Sequence, residues 1–241
     1  MKNELNHLGQ PIGYPVPNWT PPPIPVPEIV EGRYCWLEPL DVDKHSEGLF
    51  AAYSLDKDGA NWSYLPYGPF EQLEDFQAWL KSNCQNDDPQ FYAVLDKKSD
   101  KVMGMASYLR MNPTAGSIEV GHIHFSPLMQ GSIASTECMY LMMKRAFNSG
   151  YRRYEWKCNA LNEPSRRAAQ RLGLSFEGVF RQSLVVKGRN RDSAWYAAID
   201  SEWMELEKAY KTWLAPENFD EKNQQKTSLS SLTSPTLKNK G

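Results

Sequence analysis

The sequence predicts a single α+β domain with a mixed, mostly antiparallel central sheet and flanking helices. Three observations favour this class. The chain has 241 residues, enough to bury one substantial core. Three strand-like segments follow one another as a meander after an earlier strand and two helices. A strand, helix, strand, helix unit then ends the folded part, so strands and helices are mixed along one domain.

Composition divides the chain into an arm, a domain and a tail. Residues 1–30 are rich in proline, which fixes φ and lacks an amide hydrogen, so we predict an extended arm laid over its own domain. Its apolar anchors would be Tyr14, Trp19 and Ile24. Residues 31–219 would form the domain. Residues 220–241 consist mainly of Ser, Thr, Lys, Asn and Gln, which predicts a disordered polar tail.

The first half of the domain carries the segments of the meander. Apolar residues on both faces predict a buried strand in GRYCWLEPLD, which Pro39 ends. Helical spacing of apolar residues predicts helices in HSEGLFAAYSL and QLEDFQAWLKSN, separated by the aromatic loop GANWSYLPYGPF. A hairpin of FYAVLD and KVMGMASYLR then leads to a third strand, SIEVGHIHF.

The second half alternates helices and strands. A helix is predicted at about residues 133–148, and Gly150 ends it. A strand at residues 154–158 and a helix at residues 163–172 follow. Two further strands are predicted in FEGVFRQSLVV and SAWYAAID, joined by the basic turn KGRNRD. The last helix is predicted in SEWMELEKAYKTWL.

Composition also bears on partners and location. The formal net charge is −2, which gives no bulk electrostatic support for nucleic-acid binding. No apolar stretch approaches the length of a membrane span, and no secretory signal is visible. The four cysteines lie far apart, without the spacing of a metal site. We therefore expect a cytoplasmic protein with reduced thiols, no metal, and no nucleic-acid or membrane partner.

One strand-to-helix turn suits a phosphate group. In FSPLMQGSIAST a strand ends, Pro127 breaks it, and small polar residues begin a helix. The first amides of a helix lack partners and lie at its positive dipole end, which favours anions. The stretch contains neither GxxxxGK[ST] nor GxGxxG, so neither nucleotide-binding motif is present.

This turn belongs to a longer set of motifs. GSIEVGHIHFSP, QGSIASTE and GYRRYEWKCNALNEPSRRAAQRLGLSFEGVF, in this order and spacing, resemble the GNAT superfamily of acyl-CoA-dependent N-acetyltransferases. The resemblance runs from about residue 33 to 214 and is greatest to the RimJ/RimL type, whose members acetylate protein N-terminal amines and small amines. It implies a sheet in which two parallel strands splay apart and acetyl-CoA lies between them.

The resemblance also implies which residues hold acetyl-CoA as cosubstrate. They are His124, Phe125, Gln130, Gly131, Ser132, Ile133, Ala134, Ser135, Asn162 and Arg166. This chain departs from the family's turn, because Ile133 stands at the middle glycine and Ser135 at the last small position. An isoleucine there would bring a side chain towards the pyrophosphate.

The catalytic residues follow from the same resemblance. Many members use a tyrosine as general acid, and Ala169 stands at that position, so Ser165 is the expected substitute, hydrogen-bonding a developing charge. Glu119 is the first candidate for a general base and His122 the second. On a regular strand these two would point to opposite faces, unless a bulge intervenes. Their structural alternatives are an ion pair for Glu119 and a hydrogen-bonded sheet residue for His122.

The acceptor site would lie between the early helices and the late hairpin. Its expected residues are Trp62, Tyr64, Tyr67 and Arg189. The predicted activity is direct transfer of an acetyl group to a primary amine, on a protein N-terminus or a small amine or aminoacyl compound. Two alternatives stay open: a catalytically silent acyl-CoA-binding module whose proline-rich arm recruits a partner, and an acyltransferase for longer acyl-CoA. The aromatic arm also suits a homodimer.

Overall fold

A computed structural model describes residues 4–241, which contain two small N-terminal strands, a large sheet and six α-helices. The strands are β1 (Glu4–Leu5), β2 (Pro11–Ile12), β3 (Val30–Glu31), β4 (Cys35–Pro39), β5 (Gln90–Asp96), β6 (Val102–Asn112), β7 (Ser117–Phe125), β8 (Arg153–Asn159), β9 (Ser175–Val186) and β10 (Arg189–Ile199). The helices are α1 (Val42–Tyr53), α2 (Leu73–Asn83), α3 (Ile133–Asn148), α4 (Glu163–Arg171), α5 (Asp200–Leu214) and α6 (Leu229–Thr233).

The large sheet has the strand order β3-β4-β5-β6-β7-β8-β10-β9. Only the β7–β8 pair is parallel among the pairs of this sheet. The predicted α+β class with a mixed, mostly antiparallel sheet is therefore confirmed. The parallel pair arises because α3 crosses over the sheet between β7 and β8, as parallel neighbours require.

Helices cover both faces of the sheet. Phe91 and Met105 pack with α1 and α2, whereas their neighbours Tyr92 and Ala106 pack with α3. This alternation is the two-residue period of a strand whose faces are both buried. The cluster on the α3 side also takes in buried residues of α4 and α5. The face next to α1 and α2 matters for function, because those helices leave part of it uncovered towards β8 and β10.

A buried carboxylate on α3 fixes the start of the large sheet. Glu137 accepts hydrogen bonds from the backbone amides of Arg33 (2.8 Å), Tyr34 (2.6 Å) and Cys35 (2.9 Å). The side chain is 4% exposed. Amide donors to a carboxylate form charge-assisted hydrogen bonds, which are stronger than neutral ones. Glu137 therefore ties the N-terminal end of β4 to the helix that crosses between the parallel strands.

The proline-rich segment packs along the domain. Pro25 is buried, and its carbonyl accepts from Gln90 Nε2 at 2.8 Å. The Arg152 guanidinium lies 5.7 Å from the centre of the Trp19 ring. Ile24 is 43% exposed, so the prediction that it anchors the arm is wrong. Buried proline rings and the contact of Arg152 with the Trp19 ring anchor the arm instead.

The C-terminal segment is folded, whereas the sequence predicts a disordered tail over residues 220–241. Leu229 is buried, and Thr233 Oγ1 donates to the carbonyl of Arg171 at 2.9 Å. Farther along, the Lys238 amide donates to Ser175 Oγ at 2.9 Å. The composition is polar on average, but one buried leucine and a few tertiary hydrogen bonds suffice to dock the segment on α4 and α5.

Three further findings concern residues 4–241. All four cysteines are buried and free. No cluster of three or more His, Cys, Asp or Glu side chains in this described range could hold a metal ion. None of its helices is both long enough and apolar enough to cross a membrane.

Replacing Glu137 should destabilise the fold. In Glu137→Gln an amide NH2 faces backbone donors, so we expect a loss of about 3 kcal/mol in the free energy of unfolding. For a chain of this size that lowers the unfolding midpoint by about 6–12 °C. Differential scanning calorimetry would measure the shift. The matched control is Glu205→Gln, at an exposed position of α5. If the unfolding midpoint of Glu137→Gln lay within about 2 °C of the native value, the stabilising role of Glu137 would be contradicted.

Candidate active site

The two parallel strands part after a short paired region. β7 and β8 pair through residues 117–120 and 153–156, ending at Val120 and Trp156. β7 then continues to Phe125 and β8 to Asn159 without pairing with each other. The result is a wedge-shaped opening in the sheet, here named the cleft, bounded by these two strand ends. Backbone groups along its sides can bind an extended ligand.

A bulge in β7 shapes one side of the cleft. Gly121 pairs with Ser107 and His124 with Met105, so His122 and Ile123 both lie opposite Ala106. His122 has φ 48°, in the left-handed region. The extra residue reverses the alternation of side chains beyond it.

The bulge brings Glu119, His122 and His124 to one face. His122 packs on Phe91 with ring centres 4.9 Å apart, and His124 stacks on Tyr53 at 3.8 Å. Both partners belong to the α1 and α2 side of the sheet. The expectation that a bulge could place both base candidates on one face therefore fits the geometry.

Both histidines are neutral at physiological pH. Burial, with a smaller contribution from the Arg110 charge, lowers the pKa of His122 to about 4. Burial lowers the pKa of His124 to about 3. His122 Nδ1 lies 3.3 Å from the Tyr67 hydroxyl, while neither ring nitrogen of His124 has a hydrogen-bond partner among residues 4–241. His122 is thus a weak base.

Glu119 is buried between two cations. Arg110 Nη1 donates to its Oε1 at 2.7 Å. Lys157 Nζ lies 2.7 Å from its Oε2 as an ion pair, without hydrogen-bond alignment. The ion-pair alternative stated for Glu119 is therefore present. Its second oxygen keeps a lone pair available for another donor.

Ser165 lies at the mouth of the cleft on the first turn of α4. Asn162 caps this helix, its Oδ1 accepting from the Ser165 amide at 3.2 Å. Trp156 Nε1 donates to Ser165 Oγ at 3.0 Å. Because the oxygen already accepts a hydrogen bond, the hydroxyl hydrogen is available to donate. Burial raises the pKa of the nearby Cys158 thiol, and the proximity of Ser165 opposes the rise.

The N-terminus of α3 offers free amides. Ser132 caps the helix by accepting from the Ser135 amide at 3.1 Å, and the Ser135 hydroxyl donates back to the Ser132 carbonyl. The amides of Gly131, Ile133 and Ala134 have no acceptor in the described part of the chain. The Ile133 side chain packs on the core, away from these amides. The obstruction expected from an isoleucine at this position of the turn is therefore not seen. This donor set fits a pyrophosphate.

The backbone carbonyls of His124 and Phe125, two of the expected cofactor-binding residues, already accept hydrogen bonds from side chains. The His124 carbonyl accepts from the Tyr53 hydroxyl at 3.0 Å. The Phe125 carbonyl accepts from Gln130 Nε2 at 3.0 Å, and the same nitrogen lies 2.8 Å from Asn61 Oδ1. The roles of Tyr53 and Asn61 were not predicted, because each acts from a distant segment of the chain.

Arg166 is held within the domain. Its Nε donates to the Tyr196 hydroxyl at 3.1 Å and its Nη1 to the Ala160 carbonyl at 3.2 Å. Arg171 instead reaches α3, where its Nη1 donates to Thr136 Oγ1 at 3.0 Å. Of Arg166 and Arg171, only Arg171 lies beside the first turn of α3.

A loop of residues 60–67 crosses the mouth of the cleft. Trp62 is buried, and its carbonyl accepts from Lys187 Nζ at 2.9 Å. The Tyr64 hydroxyl donates to the Leu161 carbonyl at 3.2 Å. The loop is thus tied to the β9–β10 turn and to the turn between β8 and α4. It forms a roof over the side of the cleft that faces α1 and α2.

The remaining expected acceptor residues differ in placement. Tyr67 is buried against His122, with ring centres 5.7 Å apart. Arg189 is exposed at the start of β10. Arg191, on the same strand, is the half-buried arginine that interacts electrostatically with Glu119. Choosing between the two arginines requires the strand register, which the basic turn does not reveal.

Parted parallel strands next to a helix with open amides define an acyl-CoA-dependent transferase. A family model described as "Acetyltransferase (GNAT) domain" matches residues 35–175. The chain therefore belongs to the GNAT acetyltransferase family, and it is an acyltransferase.

Known relatives agree with this assignment. A GCN5-related N-acetyltransferase from Brucella melitensis is 48% identical, with a TM-score of 0.89 over 91% of this chain and 100% of that one. YnaD, an uncharacterized N-acetyltransferase of Bacillus subtilis (strain 168), is 24% identical over 64% of this chain and 88% of its own. RimL, a ribosomal alpha-N-protein acetyltransferase in complex with Coenzyme A, is 20% identical with a TM-score of 0.60 over 72% and 99%. That last likeness shows the fold alone.

The neutral, buried His124 should make folding stability depend on pH. Its folded pKa of about 3 lies below the unfolded value of about 6.5, so between these values the unfolded chain binds a proton that the folded chain does not. Stability must therefore fall as pH falls. Between pH 6.5 and pH 4.5, the free energy of unfolding of His124→Phe should fall by about 2 kcal/mol less than that of the native protein. Urea titrations at each pH would measure this.

The matched control is His7→Phe, at an exposed position of the arm. It should keep the native dependence of the free energy of unfolding on pH. An unchanged dependence in His124→Phe would show that His124 is not a buried neutral group.

Proposed function

We propose that this acetyltransferase transfers the acetyl group of acetyl-CoA directly to a primary amine, on a protein N-terminus or on a small amine or aminoacyl compound. One observation carries the proposal: the cleft lies between free amides at the start of α3 and the Ser165 hydroxyl, which has a hydrogen available to donate. An anion-binding end and a donor beside sulfur are the two things that a CoA thioester requires.

The residues at the start of α3 would hold the pyrophosphate. The donors are the amides of Gly131, Ile133 and Ala134, whereas the Ser135 hydroxyl already donates to the Ser132 carbonyl. Arg171 donates a hydrogen bond to Thr136 on the same turn, so it adds positive charge there. Acetyl-CoA supplies the activated acyl group. The chain's contribution is to align it with the amine, since holding two reactants together supplies much of the acceleration.

Gln130 would bind the Phe125 carbonyl of β7 until the cofactor displaces it. Its Nε2 bridges the Phe125 carbonyl and Asn61 Oδ1. A pantetheine amide N–H can replace Gln130 at that carbonyl, because both are amide donors of similar strength. The exchange keeps a hydrogen bond at the Phe125 carbonyl. It also frees Asn61, and with it one attachment of the roof loop.

Ser165 would donate its hydroxyl hydrogen to the sulfur of the departing thiolate. Trp156 Nε1 donates to Ser165 Oγ at 3.0 Å, so the hydroxyl hydrogen of Ser165 is directed away from the indole ring. The capping bond to Asn162 holds the first turn of α4 in place. A serine is a weak acid, so its role is to stabilise developing charge rather than to transfer a full proton.

Glu119 would take the proton of the amine, directly or through a water molecule. The amine must attack uncharged, and an α-amine with a pKa of about 8 reaches that form with little assistance. Glu119 faces the same side as the roof loop and has an oxygen without an aligned donor. His122, with a pKa of about 4, is better suited to hydrogen-bonding the acceptor than to accepting its proton.

Loss of the Ser165 hydroxyl should slow the chemical step. For Ser165→Ala we expect kcat to fall by about 10- to 100-fold, with the KM for acetyl-CoA changed by less than about threefold. The measurement is amine-dependent release of CoA, followed with a thiol reagent over a panel of primary amines.

The matched control is Ser82→Ala, which removes an exposed helical serine that donates only to the Ala78 carbonyl. It should keep the native rate. If Ser165→Ala also kept it, the assigned role of Ser165 would be wrong even though amine-dependent release persisted. No amine-dependent release in the native protein would overturn the proposed function itself.

A further inference from the structure

Arg191 is a cation without a partner. It is half-buried on β10, and its Nε is inaccessible to solvent and makes no hydrogen bond within residues 4–241. No carboxylate in that range lies within ion-pair distance of it. Its Nε is thus removed from water without an acceptor, which is costly for a polar group. Such a residue in a cleft points to an anion supplied from outside the chain.

The neighbouring charges leave Arg191 uncompensated. The cations on this part of the sheet are Arg110, Arg153, Lys157 and Arg191, and the carboxylates are Glu119, Glu155 and Glu177. Glu119 is shared by Arg110 and Lys157, Glu155 by Lys157 and Arg153, and Glu177 pairs with Arg153. Each of these three carboxylates is paired with Arg110, Arg153 or Lys157, and none of them pairs with Arg191. The Asp192 carboxylate accepts instead from the Gln182 amide and from Asn190 Nδ2.

The strand register places Arg191 on the acceptor side of the sheet. The β9–β10 register shifts between Arg191 and Ser193, with the extra residues on β9. Alternation along β10 is therefore kept, and residues 191, 193 and 195 share a face. Lys157 Nζ lies 3.8 Å from the centre of the Trp195 ring and 2.7 Å from Glu119, which identifies this face as the one that carries Glu119. The N-terminus of α3 lies across the sheet, so Arg191 is not placed for the pyrophosphate.

The roof loop encloses Arg191. Lys187, in the turn just before β10, is bound to the Trp62 carbonyl, and Tyr64 is bound to the Leu161 carbonyl. Ala160, next to Leu161, donates its amide to the Asp192 carbonyl at 2.8 Å. Arg191 therefore sits at the point where the roof loop, β10 and the end of β8 meet. An amine acceptor that reaches the cleft from this side must pass it.

We propose that Arg191 binds an oxyanion, a carboxylate or a phosphate, carried by the amine acceptor. The inference rests on the proposed function and narrows it: the acceptor is a small amine that bears a negative group, such as an amino acid, a short peptide or an aminoalkyl phosphate. A guanidinium suits this task because its planar donors match both oxyanions. The bound anion would pair with the Arg191 charge.

Matched acceptor pairs test the inference. An alanyl dipeptide with a free C-terminal carboxylate is compared with its amide, and phosphoethanolamine with ethanolamine, in the CoA-release assay. The native enzyme should prefer the anionic member of at least one pair by about 10- to 100-fold in kcat/KM, the range of a charge-assisted hydrogen bond. The pair that shows the preference identifies carboxylate or phosphate.

Variants then assign the preference to Arg191. In Arg191→Gln this preference should shrink to less than about threefold, through a raised KM for the anionic acceptor, while the unfolding midpoint stays within about 2 °C of the native value. Arg191→Lys should retain part of it. Arg181→Gln, at an exposed position of β9, removes the same charge outside the cleft and should leave the preference intact.

The outcomes separate the two proposals. Turnover of both members of each pair at equal kcat/KM would overturn the inference and leave the proposed function standing. A preference for the anionic member that survives in Arg191→Gln would also overturn it. Absence of turnover with all four acceptors would overturn the inference together with the proposed function for small amines. A near-native unfolding midpoint of Arg191→Gln guards against mistaking misfolding for lost recognition.

Discussion

The parting of β7 from β8 is the constraint on which the site depends. Paired strands satisfy each other's backbone groups, so a ligand can enter a sheet only where pairing stops. Here it stops at Val120 and Trp156. Glu119 lies just before this end of the pairing, and the other site residues on β7 lie beyond it. The bulge at His122 adds a residue to β7 without adding one to β6, which bends β7 and increases its twist. The same bulge turns three polar side chains towards the roof loop.

The two sides of the sheet at the cleft have different chemistry. The α3 side presents neutral backbone donors at a helix terminus, where a pyrophosphate gains from the helix dipole. The other side presents a dense network of ion pairs around Glu119 and Lys157. Ser165 stands between them at the start of α4. A thioester entering from one side and an amine entering from the other would meet at this serine, which matches a direct transfer.

Much of this architecture could be predicted from local patterns. Apolar periodicity predicts the meander and the helices, and the strand-to-helix turn predicts the open amides of α3, because these depend on neighbours in sequence. The bulge at His122 could not be located, since it depends on how β6 pairs with β7. Nor could the inward placement of Arg191 rather than Arg189, which depends on the β9–β10 register. The tail was mispredicted because composition does not reveal a single docking residue such as Leu229.

The central claim is that the cleft binds acetyl-CoA through the amides of α3. The most direct measurement is the unfolding midpoint of the native protein with and without acetyl-CoA, with ATP and NAD as controls. At a concentration about 100 times its Kd, acetyl-CoA should stabilise the protein by about 2.7 kcal/mol and raise the midpoint by about 5–11 °C, while ATP and NAD should not. An unchanged midpoint with acetyl-CoA would contradict the account.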